Sequence, residues 1–128
     1  MPTAKYTGFL PGKHPIEGYG DGGFCFAGMS HRGSILALPS GIRAWDAAGP
    51  EDISIDSLAP VFAEAPGLIE HLLIGTGTEL VSLEKSLRQR LRAVGIRAEP
   101  MATAAAARTY SVLLAEDRRV AAALIAVA

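Results

Sequence analysis

Hydrophobic and polar positions follow two rhythms along the chain. In roughly the first half, short apolar runs sit between glycine-rich breaks. The stretch GYGDGGFCFAG carries turn signals at Gly18, Gly20, Asp21, Gly22 and Gly23. Phe24, Cys25 and Phe26 then read as a strand. The stretch MSHRGSILALPSGIRAW predicts a second hairpin. Met29 opens one arm, His31–Gly33 turn, and Ser34–Leu38 return. Pro39-Ser40-Gly41 turn again into a strand over Ile42–Trp45. Short strands at this spacing imply an antiparallel sheet.

The second half carries helical periods. Asp56 is placed to cap a helix over roughly 57–65, with Pro60 in its first turn, where a missing N–H costs little. Leu58, Val61 and Phe62 face one way, and Ala65-Pro66-Gly67 ends the helix. Leu72–Ile74 reads as a strand. Ser82 is the expected cap of a second helix, whose stripe is Leu83, Leu87, Leu91 and Val94, with Gly95 as its stop. Ile96–Glu99 is a further short strand. Thr103 is the expected cap of a third helix through Ala104–Leu114. Arg119–Val127 is nearly all apolar, which predicts a central strand covered on both faces. The order is several strands, then helix–strand–helix–strand–helix–strand. Its last part has the order of a crossover-connected parallel unit. The expected class is α/β in one domain over 1–128: antiparallel N-terminal hairpins followed by crossover-connected strands and helices.

Composition narrows the function classes. A chain of 128 residues with 49% hydrophobic and 20% charged residues has the makeup of a folded domain. Its formal net charge is -1, so the broad basic field of a non-specific nucleic-acid binder is missing. The lone Cys25 excludes an intrachain disulfide and a Cys-x-x-Cys metal site. Residues 1–15 lack the pattern of a secretory or transit leader. No apolar run approaches the roughly 18 residues of a membrane span. A cytoplasmic protein is expected.

The stretch HLLIGTGTEL holds the most suggestive local motif. A strand breaking at Gly75-Thr76-Gly77 before a helix is how many phosphate loops begin. A dinucleotide fingerprint needs glycine where Leu80 stands, and a P-loop needs Gly-Lys-Ser/Thr where Glu79-Leu80 stands. Two readings remain: backbone amides holding an anion or carboxylate, or a plain strand-end turn. In RTYSVLLAEDRR, Arg108 offers a guanidinium fork to an anion, or else a surface pair to Glu99 or Glu116. Tyr110 is a packing residue whose hydroxyl needs a partner.

His14, His31 and His71 form no metal spacing. Each is expected at a surface or edge, with His31 in a turn. Ser34, Ser40 and Ser111 lack a nucleophile elbow. Cys25, between two phenylalanines, is expected to be buried and inert. Glu51, Asp52 and Asp56 read as a solvated loop with a helix cap. Arg88, Arg90 and Arg92 read as a helix face balanced by Glu79 and Glu84. No cofactor is implied.

Five segments in order, YGDGGFCFAG, GSILALPSGIRAW, IEHLLIGTG, LRAVGIRAEPMAT and RTYSVLLAEDRRVAAALI, cover nearly the whole chain. The set resembles a family of small domains of unknown function. That family includes mitochondrial complex I assembly factor three and the adipogenesis-associated domain protein of animals. The resemblance implies a three-layer β/β/α sandwich. It also implies a cleft where the Gly-Thr-Gly turn, the Arg-Thr-Tyr segment and the glycine-rich hairpin approach one another. The matching positions are Gly75, Thr76, Gly77, Arg108, Thr109 and Tyr110. The family pattern has arginine, aspartate and asparagine where this chain has Cys25, Ala102 and Ser111, which weakens an enzymatic reading.

The mitochondrial relatives help assemble the membrane-bound NADH dehydrogenase with another assembly factor, and some bacterial relatives are encoded beside protein-translocation genes. The chain lacks the mitochondrial import sequence, so a bacterial member is expected. The resulting expectation is a non-enzymatic interaction module with a protein partner. The alternative is a small-molecule or anion binder using Gly75, Thr76, Gly77, Arg108 and Tyr110.

Overall fold

A computed structural model describes residues 8–128, so the first seven positions of the segment read as leaderless lie outside it. Among the described residues, nine strands form two sheets. The smaller sheet holds β2 (Gly18–Gly20), β3 (Gly23–Phe26) and β4 (Met29–Arg32), all antiparallel. The larger one has six strands in the order β1-β6-β5-β9-β7-β8. These are β1 (Phe9–Pro11), β5 (Ser34–Leu38), β6 (Gly41–Trp45), β7 (His71–Gly75), β8 (Arg97–Met101) and β9 (Val120–Leu124). β1, β6, β5 and β9 pair antiparallel, whereas β7 runs parallel to both β8 and β9.

Strand alternation divides the core between the two faces of the large sheet. Leu36, Leu38, Leu72, Ile74, Ala121 and Ala123 face α1 (Ala59–Phe62) and α2 (Lys85–Ala93). Ile35, Ala37, Leu73, Ala122 and Leu124 face α3 (Thr103–Ala115) and the phenylalanines of the small sheet. The layers are thus small sheet, large sheet and helices, with α3 lying beside the small sheet. β9 is central and fully buried, as its apolar run predicts. Among the described residues, no helix is long and apolar enough to cross a membrane.

Several local expectations change. Met29–Arg32 pairs back onto β3, not with Ser34–Leu38, so His31 lies in a strand. Ala27 and Gly28 make the turn at φ 50° and 72°, the left-handed pair that suits a two-residue hairpin loop. Cys25 is exposed rather than buried. Phe24 and Phe26 point into the core, and the residue between them must face the other side.

Asp56 does not cap α1. Ser54 and Ser57 fold the entry into a reciprocal side-chain turn, and the helix is a single turn around Pro60. α2 starts after Glu84, not Ser82. Leu83, Leu87 and Leu91 are buried, but Val94 lies past its last turn and is 54% exposed. Gly95 takes φ 82° there, as a helix stop should. The strand expected over Ile96–Glu99 is shifted to Arg97–Met101.

Candidate functional site

β7, β8 and β9 run parallel, so their carboxyl ends share one edge of the large sheet. Such ends are where open α/β sheets place ligands. α2 leaves β7 toward one face and α3 leaves β8 toward the other. Gly75-Thr76-Gly77 sits at this edge.

The turn is tied down by its neighbours. The Thr76 N–H donates to the Met101 carbonyl at 2.8 Å. Thr76 Oγ1 lies 2.6 Å from the Glu79 carbonyl and 3.1 Å from that of Met101, sharing one proton between them. It also accepts the Val81 N–H at 3.0 Å. The Gly77 N–H donates to Thr103 Oγ1 at 3.0 Å, and Thr103 Oγ1 donates to the Ile125 carbonyl at 2.8 Å. The Thr103 N–H donates to the Gly77 carbonyl at 2.7 Å, and the Ile125 N–H to that of Gly75 at 3.0 Å. Thr103 is fully buried and Thr76 nearly so. One hydroxyl therefore joins the ends of β7 and β9 to the start of α3.

Each glycine has its own reason. A Cβ on Gly75 would come within 2.9 Å of Thr103 Cα and Oγ1, so α3 can approach only a bare backbone. Gly77 has open space but φ 112°, which disfavours a side chain. Thr103 was expected as the cap of α3; instead Ala102 holds the cap position without a side-chain bond. Nothing in the sequence pairs residues so far apart, and a threonine before an alanine run reads as a cap.

The other candidates lie along α3. Tyr110 is 1% exposed and shares a cluster with Phe24 and Phe26 of the glycine-rich hairpin. Its hydroxyl donates to the His14 carbonyl at 3.3 Å. Burial pushes its pKa up to about 12. Next to it, Ser111 Oγ accepts the Ile16 N–H at 2.9 Å, stitching α3 to the segment before β2. Arg108 is exposed, and the bridges to Glu99 or Glu116 do not form. The structure thus joins Gly75, Thr76 and Gly77 to Thr103, joins Tyr110 to the hairpin, and leaves Arg108 on the outer side of α3.

Other polar groups are dispersed. His31 is half-buried, and burial lowers its pKa against a backbone bond involving Ser34 that raises it. His71 lies 3.2 Å from Glu70, which also pairs with Arg119 at 3.1 Å. Among the described residues, no cluster of three metal-binding side chains exists. The balance expected between Arg88, Arg90 and Arg92 and the carboxylates Glu79 and Glu84 is not made through ion pairs.

Residues 16–125 match the family described as protein of unknown function (DUF498/DUF598). The chain belongs to this family. An uncharacterized protein of Rhodobacter capsulatus is 45% identical over 114 residues, covering 89% of this chain and 86% of that protein. NADH dehydrogenase (ubiquinone) 1 alpha subcomplex assembly factor 3 of Xenopus tropicalis is 34% identical over 110 residues. That match covers 86% of this chain but 60% of the assembly factor, so the chain spans well under the relative's full length. The crystal structure of a Bartonella henselae protein, described as an outer membrane protein, superposes with a TM-score of 0.88 at 51% identity. The match covers 93% of this chain and 99% of that one. The family resemblance drawn from the five ordered segments holds.

Proposed function

We propose that this protein is a non-enzymatic interaction module of the cytoplasm that helps assemble membrane protein complexes, such as the respiratory NADH dehydrogenase. The observation that carries this reading is the match over 110 residues to a relative named as an assembly factor for that enzyme. The internal bonding of the Gly-Thr-Gly edge supports it. In many α/β enzymes the same edge offers free amides to a ligand. Here the Thr76 and Gly77 amides already have protein acceptors. Affinity purification of the tagged chain from its native host is the test. Co-purification of NADH dehydrogenase subunits or of translocation components is expected. Recovery of no stable partner would refute the reading.

A second reading, a small anion near Gly75–Gly77, draws on the exposed guanidinium of Arg108, which has no carboxylate partner. Thermal-shift screening with phosphates, nucleotides and carboxylates decides it. The anion reading requires a stabilising ligand whose effect disappears in Arg108→Ala.

A further inference from the structure

The large sheet ends at β8, and between this strand and α2 runs an open groove of about 610 Å³. Its cations are Lys85, Arg88 and Arg92 on α2 and Arg97 on β8. Positions 85, 88 and 92 recur on one helical face. Among the described residues, none of the four makes an ion pair, although the chain as a whole carries a formal charge of -1. Glu99, two residues along β8 from Arg97, is outside the groove lining. Clustered positive charge along a concave groove concentrates its field on whatever enters.

A second cavity of about 230 Å³ shares Ile96 with the groove. It is largely apolar, with Phe62, Pro66 and the exposed Val94 in its wall. Its one carboxylate, Glu64, accepts a hydrogen bond from Ser40. The space has room for one apolar side chain beside a row of unpaired cations.

The backbone of β8 limits how a partner binds. The Arg97 N–H donates to Glu70 and the Met101 carbonyl accepts from Thr76, so these residues face β7. In a parallel ladder the alternate residues, Ala98 and Pro100, then face outward. Pro100 has no N–H, so the free edge cannot add a full strand. An occupant must be held by its side chains.

We infer that this groove docks an acidic segment of a partner protein, with carboxylates on Lys85, Arg88, Arg92 and Arg97 and one apolar side chain in the adjoining cavity. The inference deepens the interaction reading by naming the partner's chemistry. Concavity favours a peptide over a bilayer, because a flat anionic surface cannot reach into a groove between a helix and a strand.

The test uses the purified chain and a labelled peptide carrying one leucine followed by glutamates. Fluorescence anisotropy is expected to show saturable binding that weakens as salt rises. The double variant Arg88→Glu with Arg92→Glu should bind about tenfold more weakly or worse. Val94→Asp should also weaken binding. All three positions are exposed, so the variants should keep the wild-type melting temperature. Arg97→Glu, on the other wall, repeats the test independently. Absence of binding, equal binding of a lysine-substituted peptide, or unchanged affinity in the charge-reversed proteins would overturn the inference. So would capture by phosphatidylglycerol vesicles or inorganic phosphate without peptide binding. Because the assay uses no host extract, its failure leaves the assembly reading intact. Failure of the native purification would refute assembly and leave the groove standing.

Discussion

Two edges of the large sheet, the carboxyl ends of β7–β9 and the lateral side of β8, differ in how they use their polar groups. At the carboxyl edge, Thr76 and Thr103 satisfy backbone groups from three elements and are removed from solvent. Along the β8 edge, four cations line an open groove with no carboxylate partner. The first region resembles a binding loop in sequence but spends its hydrogen bonds internally. The second has no motif at all, yet its charges remain available. Availability of polar groups separates a structural motif from an interaction surface better than the motif does.

The largest effect should come from breaking the buried threonine link. Thr103→Val keeps the shape but leaves the Gly77 N–H and the Ile125 carbonyl without their partner. A cost of roughly 2–4 kcal/mol in urea unfolding is expected. A loss below about 1 kcal/mol would mean the edge tolerates an open turn.

Alkaline pH probes the same face through Tyr110. Its pKa rises from 10.0 unfolded to about 12 folded because burial disfavours the phenolate. The folded state therefore keeps its full stability below pH 10 and loses it as pH rises toward 12. The loss attributable to this residue should approach roughly 2–3 kcal/mol. Denaturant unfolding of wild type against Tyr110→Phe measures it: the variant's decline should be shallower over that window. Parallel declines would contradict the burial assignment.

A smaller gain is expected from supplying the missing helix cap. Ala102 holds the cap position of α3 with extended backbone and no side-chain bond. Ala102→Asp supplies a capping carboxylate and should raise stability by about 1 kcal/mol. Thermal denaturation reads the gain. Destabilisation would show that the approach of Gly77 to α3 leaves no room for a capping carboxylate.

The smallest effect belongs to the open edge. Arg88→Ala and Arg92→Ala should each change stability by less than about 0.5 kcal/mol, since neither side chain has an ion-pair partner to lose. A cost above about 1 kcal/mol in urea unfolding would tie these arginines into the fold and weaken the contrast.

Much of the fold was legible where one period dominates. The apolar run of β9 marked a central strand, and Leu87 and Leu91 marked the buried face of α2. Strand pairing was less legible. Ala27-Gly28 is a weak turn signal beside the glycine at 33, so the sequence points to a hairpin one strand later than the β3–β4 pair that forms. Caps failed for a related reason. Asp56, Ser82 and Thr103 are all good cap residues, but tertiary contacts and local serine turns chose other boundaries. The candidate site was half visible. Gly75-Thr76-Gly77 stands out as a motif, whereas its partner Thr103 becomes apparent only when α3 is laid against the sheet. The α2–β8 groove combines residues from a helix and a later strand, and Arg97 was not marked in the sequence at all.

Site-specific photo-crosslinking in the native host tests the contrast most directly. A benzoylphenylalanine placed at Gln89, in the basic groove, is compared with one at exposed Thr78, beside the Gly-Thr-Gly turn. Crosslinks to a partner protein from position 89 and none from position 78 are predicted. Crosslinks from 78 alone would contradict the account.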